Sequence, residues 1–423
     1  MSEKDGKTVA PESSKPVESA MSEYVRDALD KVALADGFVN YEIIFNASAV
    51  GDGFIGIMFK AVIQENESDK KLSVIVKSPP TNLERRVQFG AMEMFEREVF
   101  AYSVMLPEFL KFQEDSNVAV EKIFNKFPKC FYANYNAETE ESVLIMEDLK
   151  ERDFEMCNKA VPASFEHTKH VFATLGRFHA ISFALKAKKP ELFSKYKKVK
   201  DFLAEKLYRK EFLPTMFSLI DRAAGTFDDT DTDRKNRVLK LKEDVQGTLT
   251  KLCDSDGPEP FTVVGHGDCW SNNFMYKFKN GLPSDIVLLD WQIIRYVSPA
   301  IDLSHFTFVC TDSDMRAKHY DELLKIYHKS LSELLDSLGG DTKTQFPFEA
   351  LLDQMKKFGK FGVFMSLIML PILQTSAKDF PDLVAEETTD KRNIFADTFG
   401  KNDQGYNTRM NGILVDAISY GYL

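Results

Sequence analysis

The stretch Val263-Val264-Gly265-His266-Gly267-Asp268-Cys269-Trp270-Ser271-Asn272-Asn273, followed by Val287-Leu288-Leu289-Asp290-Trp291-Gln292, restricts what this chain can be more than any other part of it. It holds a carboxylate, an amide five positions later and a second carboxylate beyond a turn signal. The runs 261–264 and 286–289 are short and apolar, so they read as buried strands. Each acidic residue then falls at a strand end, not on a solvated helix. Residues 274–278 are a third strand candidate, and Asn280-Gly281 is a turn signal that folds the segment back. Such a hairpin returns Asp290 to the neighbourhood of Asp268.

Acid, amide, acid is the order in which kinases place a catalytic base and two metal ligands. Moving a γ-phosphoryl group onto a hydroxyl needs one carboxylate to orient and deprotonate that hydroxyl. It also needs hard oxygen ligands for the Mg²⁺ that neutralises the phosphates. Asp268 suits the first task, and Asn273 and Asp290 suit the second. An isolated His-x-Asp such as His266 and Asp268 also occurs in metal hydrolases and at plain strand-to-loop junctions, whereas the extended spacing is far more specific. His266 itself reads as a buried organiser of the loop backbone.

A kinase needs a phosphate loop, a lysine and a helix glutamate upstream, in that order. Gly51-Asp52-Gly53-Phe54-Ile55-Gly56 lies between a strand over 41–48 and a second strand through residue 62. A dinucleotide fold would require a helix directly after these glycines, but residues 57–63 are apolar and β-branched, so the glycines sit in a hairpin. A third strand over 72–77 ends on Lys77, the candidate to hold the α- and β-phosphates. The spacing of Phe95, Val99, Tyr102 and Leu106 predicts a helix over 86–106, ended by Pro107. Glu98 lies beside that apolar stripe and can turn inward towards Lys77, with Glu93 and Glu96 as rivals. The apolar strand 142–146 runs into Glu147-Asp148-Leu149, where a hinge would offer the backbone of Glu147 and Leu149 to adenine; the plain alternative is an edge strand.

Together with Leu175-Gly176-Arg177-Phe178-His179-Ala180, these motifs span about residues 40 to 305, and in order and spacing the chain resembles the ecdysteroid kinase-like family. That family, also called CHK kinase-like, is the insect-expanded branch of the choline kinase and aminoglycoside phosphotransferase superfamily. The resemblance implies an α+β, two-lobed protein-kinase-like fold, with a small antiparallel β-sheet lobe and a larger, mainly helical lobe. It also implies ATP- and Mg²⁺-dependent phosphorylation of a small-molecule hydroxyl. Carried over by position, Asp268 is the base, Asn273 and Asp290 bind Mg²⁺, Lys77 holds phosphates and Glu98 pairs with Lys77. Gly51, Asp52 and Gly53 belong to the phosphate loop, and Trp270 is a structural part of the catalytic motif. Asp302, in Pro299-Ala300-Ile301-Asp302-Leu303, resembles the family's buried aspartate that braces the catalytic loop. Gly53 is a departure, since family members often carry Asn there; glycine keeps the loop flexible but removes a side-chain donor.

A peptide substrate is excluded without the family. Protein kinases need a few tens of residues after the second metal aspartate, ending in Ala-Pro-Glu, to seat a peptide. Here Pro299 follows Asp290 almost at once, no Ala-Pro-Glu follows, and Trp291-Gln292 replaces the Phe-Gly whose glycine lets that loop flip.

The expected organisation is a disordered tail over 1–22, a nucleotide-binding lobe over 23–146, a hinge over 147–152 and a catalytic and substrate-binding lobe over 153–423. A net charge of −11 argues against nucleic acid or an acidic membrane as partner, because phosphates are held by clustered cations. The tail has no signal-peptide core, the five cysteines show no Cys-x-x-Cys spacing, and a reducing cytoplasm fits both. No obligate protein partner is evident. Cys269 reads as a small buried filler, the uncharged run 361–377 as a buried helix, and His167 with His170 as a solvated helix face. Residues 185–255 and 345–420 are expected to wall the acceptor pocket. The resemblance points to an ecdysteroid-like steroid or a xenobiotic alcohol as acceptor. A choline- or ethanolamine-type kinase and an inactive nucleotide-binding sensor are the alternatives, but a choline cage wants a spare Trp, and both Trp270 and Trp291 lie inside the motifs.

Overall fold

The computed structural model describes residues 22–46, 56–83, 86–87, 90–199, 201–202, 210–374 and 403–423. The tail over 1–21 and the phosphate-loop residues Gly51, Asp52 and Gly53 therefore lie outside the described residues. The chain forms two compact units, residues 1–102 with 128–152 and residues 103–127 with 153–423.

The first unit is built on an antiparallel sheet of β1 (Tyr41–Asn46), β2 (Ile57–Glu65), β3 (Lys71–Ser78), β4 (Cys130–Asn136) and β5 (Glu141–Glu147), in the order β1-β2-β3-β5-β4. Alternate residues Phe59, Ala61 and Ile63 of β2 and Val74 and Val76 of β3 share one buried cluster with Val143 and Ile145 of β5. That face packs on helix α1 (Glu23–Ala35), which contributes Val25, Ala28, Leu29, Val32 and Ala33. The period of two in the strands and the three- and four-residue steps in the helix are what make the two faces meet. Ser22 caps α1, its hydroxyl accepting from the Val25 amide at 3.3 Å. Strand β5 lies between β3 and β4, so it is an interior strand and the edge-strand alternative is excluded.

Helix α2 (Ala91–Phe100) continues into a π turn over Ala101–Met105 and then helix α3 (Leu106–Asp115). The expectation that Pro107 ends the helix is therefore corrected. Proline has no N–H to donate back along a helix, but Pro107 sits in the first turn of α3, where that N–H has no intrahelical partner to lose. The π turn resets the bonding pattern just before it.

In the second unit, α4 (Phe165–Lys188) lies along α6 (Ser313–Ser337), with α5 (Ala300–Cys310) preceding α6 in the chain. The α4 and α6 backbones come so close that a Cβ on Gly176 would stand 2.4 Å from the Tyr327 carbonyl oxygen. Strands β6 (Phe154–Met156), β8 (Phe274–Lys279) and β9 (Leu282–Leu288) form one small sheet, and β7 (Val263–Gly265) pairs with β10 (Arg295–Val297). Asn280 and Gly281 both take positive φ, 53° and 76°, the two-residue turn that joins β8 to β9.

His167 and His170 do not form a solvated face. Both are half-buried against the β8–β9 hairpin: the His167 ring lies 5.0 Å from Tyr276, and His170 Nε2 lies 3.0 Å from the Pro283 carbonyl. Burial pushes the pKa of both rings down. Helical spacing reveals that two residues share a face, but not which sheet will cover it. Helix α7 (Lys360–Gln374) is largely buried and packs on α5, while α8 (Asp403–Ser419) packs on α7. No single described helix is long and apolar enough to cross a membrane; α7 passes that test only jointly with residues 342–358, across a 50° bend.

Candidate active site

Strand β7 delivers the chain into the loop 266–273, and the ladder Gly265↔Arg295 sets where that loop begins. Two consecutive amides at its start would be orphaned without an acceptor. Asp302, in the first turn of α5, supplies one: its Oδ2 accepts from the His266 amide at 2.7 Å and its Oδ1 from the Gly267 amide at 2.9 Å. The Asp302 side chain is buried and meets His179 Nε2 at 3.2 Å, while His179 Nδ1 meets the Tyr327 hydroxyl at 2.9 Å. Burial alone would raise the Asp302 pKa, but the hydrogen bonds it accepts from His179 and from the Gly267 amide hold it well below the usual carboxylate range. A helix N-terminus further favours a carboxylate there.

Gly267 is the loop's steric pivot. Its φ is +87°, and a Cβ would lie 2.0 Å from the Ile293 carbonyl oxygen, so only glycine fits. The turn it makes presents Asp268, which is partly exposed. Asn273 Nδ2 donates to Asp268 Oδ2 at 2.8 Å and to the Asp268 carbonyl at 2.9 Å, and the Trp270 side chain also hydrogen-bonds the carboxylate. Loss of solvation raises the Asp268 pKa first and the nearby Asp290 charge raises it further, to about 7.

Asp290 reaches the same site by backbone pinning of its neighbour. Leu289 donates its amide to the Asn273 carbonyl at 2.9 Å, and the Leu289 carbonyl accepts from His266 Nε2 at 2.9 Å. His266 is buried and neutral, its pKa lowered by desolvation. With Nε2 donating to Leu289, Nδ1 is the acceptor for the Asp268 amide at 3.3 Å. His266 thus ties the end of β9 to the loop. Asp290 itself adopts φ +63°, an uncommon conformation for a non-glycine residue, and Gln292 Nε2 donates to its Oδ2 at 3.1 Å. Trp291 is fully buried, packed against Phe178 and His266 at centroid distances of 5.0 and 4.7 Å. The buried Cys269 thiol is pushed well above its ordinary pKa, chiefly by desolvation, so it is inert packing.

The first unit holds Lys77, Glu98, Glu147 and Leu149. Lys77 on β3 and Glu98 on α2 are both buried, and Lys77 Nζ lies 2.6 Å from Glu98 Oε2. Glu93 and Glu96 are not part of this ion pair. Glu147 ends β5, its carboxylate held by Arg152 at 2.9 Å and by the Lys129 amide at 2.8 Å; Leu149 is buried in the short turn that follows. Asp148 between them forms an ion pair with Lys60 at 2.7 Å, which fastens this segment to β2.

His179 and Gln292 stood inside motifs quoted from the sequence but without a role, while Arg295 and Asp201 were not singled out. Arg295 carried a signal, a cation inside the apolar run 293–297.

Among the described residues no group of three or more His, Cys, Asp and Glu could hold a metal ion. The donor set offered here is different. Because the Asn273 amide nitrogen faces Asp268, its Oδ1 is the end left for a cation, and the Asp290 carboxylate stands close enough to perturb Asp268. One amide oxygen and one carboxylate are hard ligands of the kind Mg²⁺ takes while keeping most of its waters.

A model of the ecdysteroid kinase-like family matches residues 50–340, more than half of the chain. No curated protein matches. Among solved structures, ethanolamine kinase from Plasmodium vivax is 14% identical, with 88% of this chain and 92% of that one covered at a TM-score of 0.41. An aminoglycoside phosphotransferase from Alicyclobacillus acidocaldarius is 13% identical, with 93% and 94% covered at 0.39. The GDP complex of an aminoglycoside 2′-phosphotransferase is 9% identical, with 84% and 94% covered at 0.38. All three scores are below 0.5.

Proposed function

This chain belongs to the ecdysteroid kinase-like family, and on that premise we propose that it is an ATP-dependent small-molecule kinase that phosphorylates a hydroxyl of a lipophilic alcohol, an ecdysteroid-like steroid or a xenobiotic. The observation that carries this reading is the Asp268 carboxylate, oriented by Asn273 at 2.8 Å and raised in proton affinity to about 7 by loss of solvation and Asp290. A general base works best when its pKa lies near the operating pH. Asp268 would orient the acceptor hydroxyl and take its proton as the oxygen bonds to the γ-phosphorus and the bond to the ADP oxygen breaks. Asn273 Oδ1 and Asp290 would hold Mg²⁺, which when bound neutralises charge on the phosphates. Lys77, steadied by Glu98, would contact the α- and β-phosphates, and the backbone at Glu147 and Leu149 would receive adenine.

The tryptophans bear on the acceptor. Trp291 is fully buried, so its ring cannot face a quaternary ammonium, and only one tryptophan is left to offer a face, which favours a lipophilic alcohol over choline. The reading carries with it a cytoplasmic enzyme acting without nucleic acid, membrane or obligate protein partner, in keeping with a net charge of −11.

The test is a screen of steroid, sterol, choline and plant-derived alcohols with γ-labelled ATP and Mg²⁺, run beside Asp268→Ala. Label should pass to a lipophilic alcohol with the wild type and not with the variant, while nucleotide still binds both. Nucleotide binding without transfer to any acceptor would leave a sensor in place of a kinase.

A further inference from the structure

Arg295 is 1% exposed, yet it carries a full positive charge at the start of strand β10. A buried guanidinium is tolerated only where its donors find acceptors and its charge a partner. Nη1 donates to Asp201 Oδ2 at 2.6 Å, and Nη2 donates to the Gly267 carbonyl. The plane of the guanidinium lies over the Phe361 ring of α7, 4.9 Å from its centroid. Gly267 is thereby held on both sides: its amide donates to Asp302 and its carbonyl accepts from Arg295. The peptide that leads into Asp268 has no rotation left to it. Asp201 is placed for this role by its own approach, since the Tyr296 amide donates to the Val199 carbonyl at 3.2 Å, one residue along from Arg295 on β10. A glycine is needed at 267 for the same reason: a Cβ there would stand 3.1 Å from Arg295 Nε as well as striking Ile293.

We propose that Arg295, oriented by Asp201, is the positioning residue for the base Asp268, locking the Gly267–Asp268 peptide in its reactive orientation and joining the catalytic loop to Asp201. Resting on the kinase reading for what Asp268 does, the claim about the loop stands on geometry alone. Protein kinases align the equivalent loop by a switchable phosphate on a long activation segment. This chain has no such segment, and Asp201 supplies a permanent carboxylate to a loop-holding arginine instead. Lysine cannot substitute, because a single ammonium lacks the planar fork that spans Asp201 and the Gly267 carbonyl together.

The experiment uses the full chain carrying Asp201→Asn, Arg295→Lys or Arg295→Met. Amide hydrogen exchange is read in peptides covering 264–273 and, as internal control, in peptides from β1 to β5. Mg-ATP affinity and, with any acceptor found, kcat and KM complete the set. Asp201→Asn and Arg295→Lys should speed exchange in 264–273 about tenfold while the β1–β5 peptides and ATP affinity stay unchanged. Turnover should fall about a hundredfold in kcat, with KM for ATP unmoved, as expected for an orientation defect. A merely structural arginine would instead lower both units' protection or leave kcat intact. If Arg295→Met fails to fold, the two milder variants decide. Faster loop exchange in the two milder variants, alongside a wild type that transfers no phosphoryl group to any acceptor, would uphold the positioning role and remove the kinase reading. Unchanged loop exchange and kcat in both milder variants would overturn the proposal and leave the kinase reading standing.

Discussion

Replacing Asp302 by Asn tests the brace on which the loop 266–273 hangs. The native carboxylate accepts from the His266 amide, the Gly267 amide and His179 Nε2, at 2.7, 2.9 and 3.2 Å. An amide of the same shape has one acceptor oxygen, so one loop N–H must face an NH₂ group. Losing a hydrogen bond to a charged acceptor costs about 1.5–3 kcal/mol, and the orphaned buried donor adds about 1–3 kcal/mol. These overlap, and about 3–5 kcal/mol in all matches what removing one member of a buried ionic network costs. The pH dependence has a definite sign. The folded pKa of Asp302 is depressed, so the unfolded state binds the proton more readily, and the stabilisation is complete above the unfolded value of about 4. It fades as pH falls below that value towards the depressed folded one. Urea titration followed by tryptophan fluorescence reports the second unit, which contains both Trp270 and Trp291. The gap between wild type and Asp302→Asn should be full at pH near 7 and shrink steadily below about pH 4. A neutral-pH gap under about 1 kcal/mol, or one independent of pH, would refute the reasoning.

Gly267→Ala combines a left-handed φ, costing roughly 1–2 kcal/mol, with overpacking against Ile293 and Arg295, costing about 1–3 kcal/mol; the same urea titration should show a loss of about 2–5 kcal/mol, and a neutral substitution would mean the loop relaxes freely. Mg-ATP should change the emission of Trp270, which bonds Asp268, and not that of the fully buried Trp291. The Trp270→Phe variant should therefore lose the response, and a full response in that variant would contradict the assignment.

Much of the site was readable because its parts are local. A strand end carrying Asp268, an amide five residues on, and a second acid after Asn280-Gly281 are all patterns of neighbours in the chain, where periodicity and turn chemistry act directly. Lys77 and Glu98 were legible for a related reason, each lying where a strand or helix period turns it inward. Local rules also misled. Pro107 was read as a stop because an isolated helix cannot pass it, while the preceding π turn made it the start of the next segment. His167 and His170 were placed in solvent because nothing nearby in sequence announces the hairpin that covers them.

By itself, then, the order of residues determined that an acid, an amide and a second acid arise beside strand ends, that a lysine and a glutamate can pair, and that no Ala-Pro-Glu platform follows Asp290. Only the tertiary structure decided what holds them still. His179 lies 123 positions from Asp302 and Asp201 lies 94 from Arg295, yet each pair meets inside the core. Contacts of that span leave no periodic trace in the chain, because they are selected by the packing of α4, α5 and β10 and by the cost of leaving a buried charge or amide without a partner.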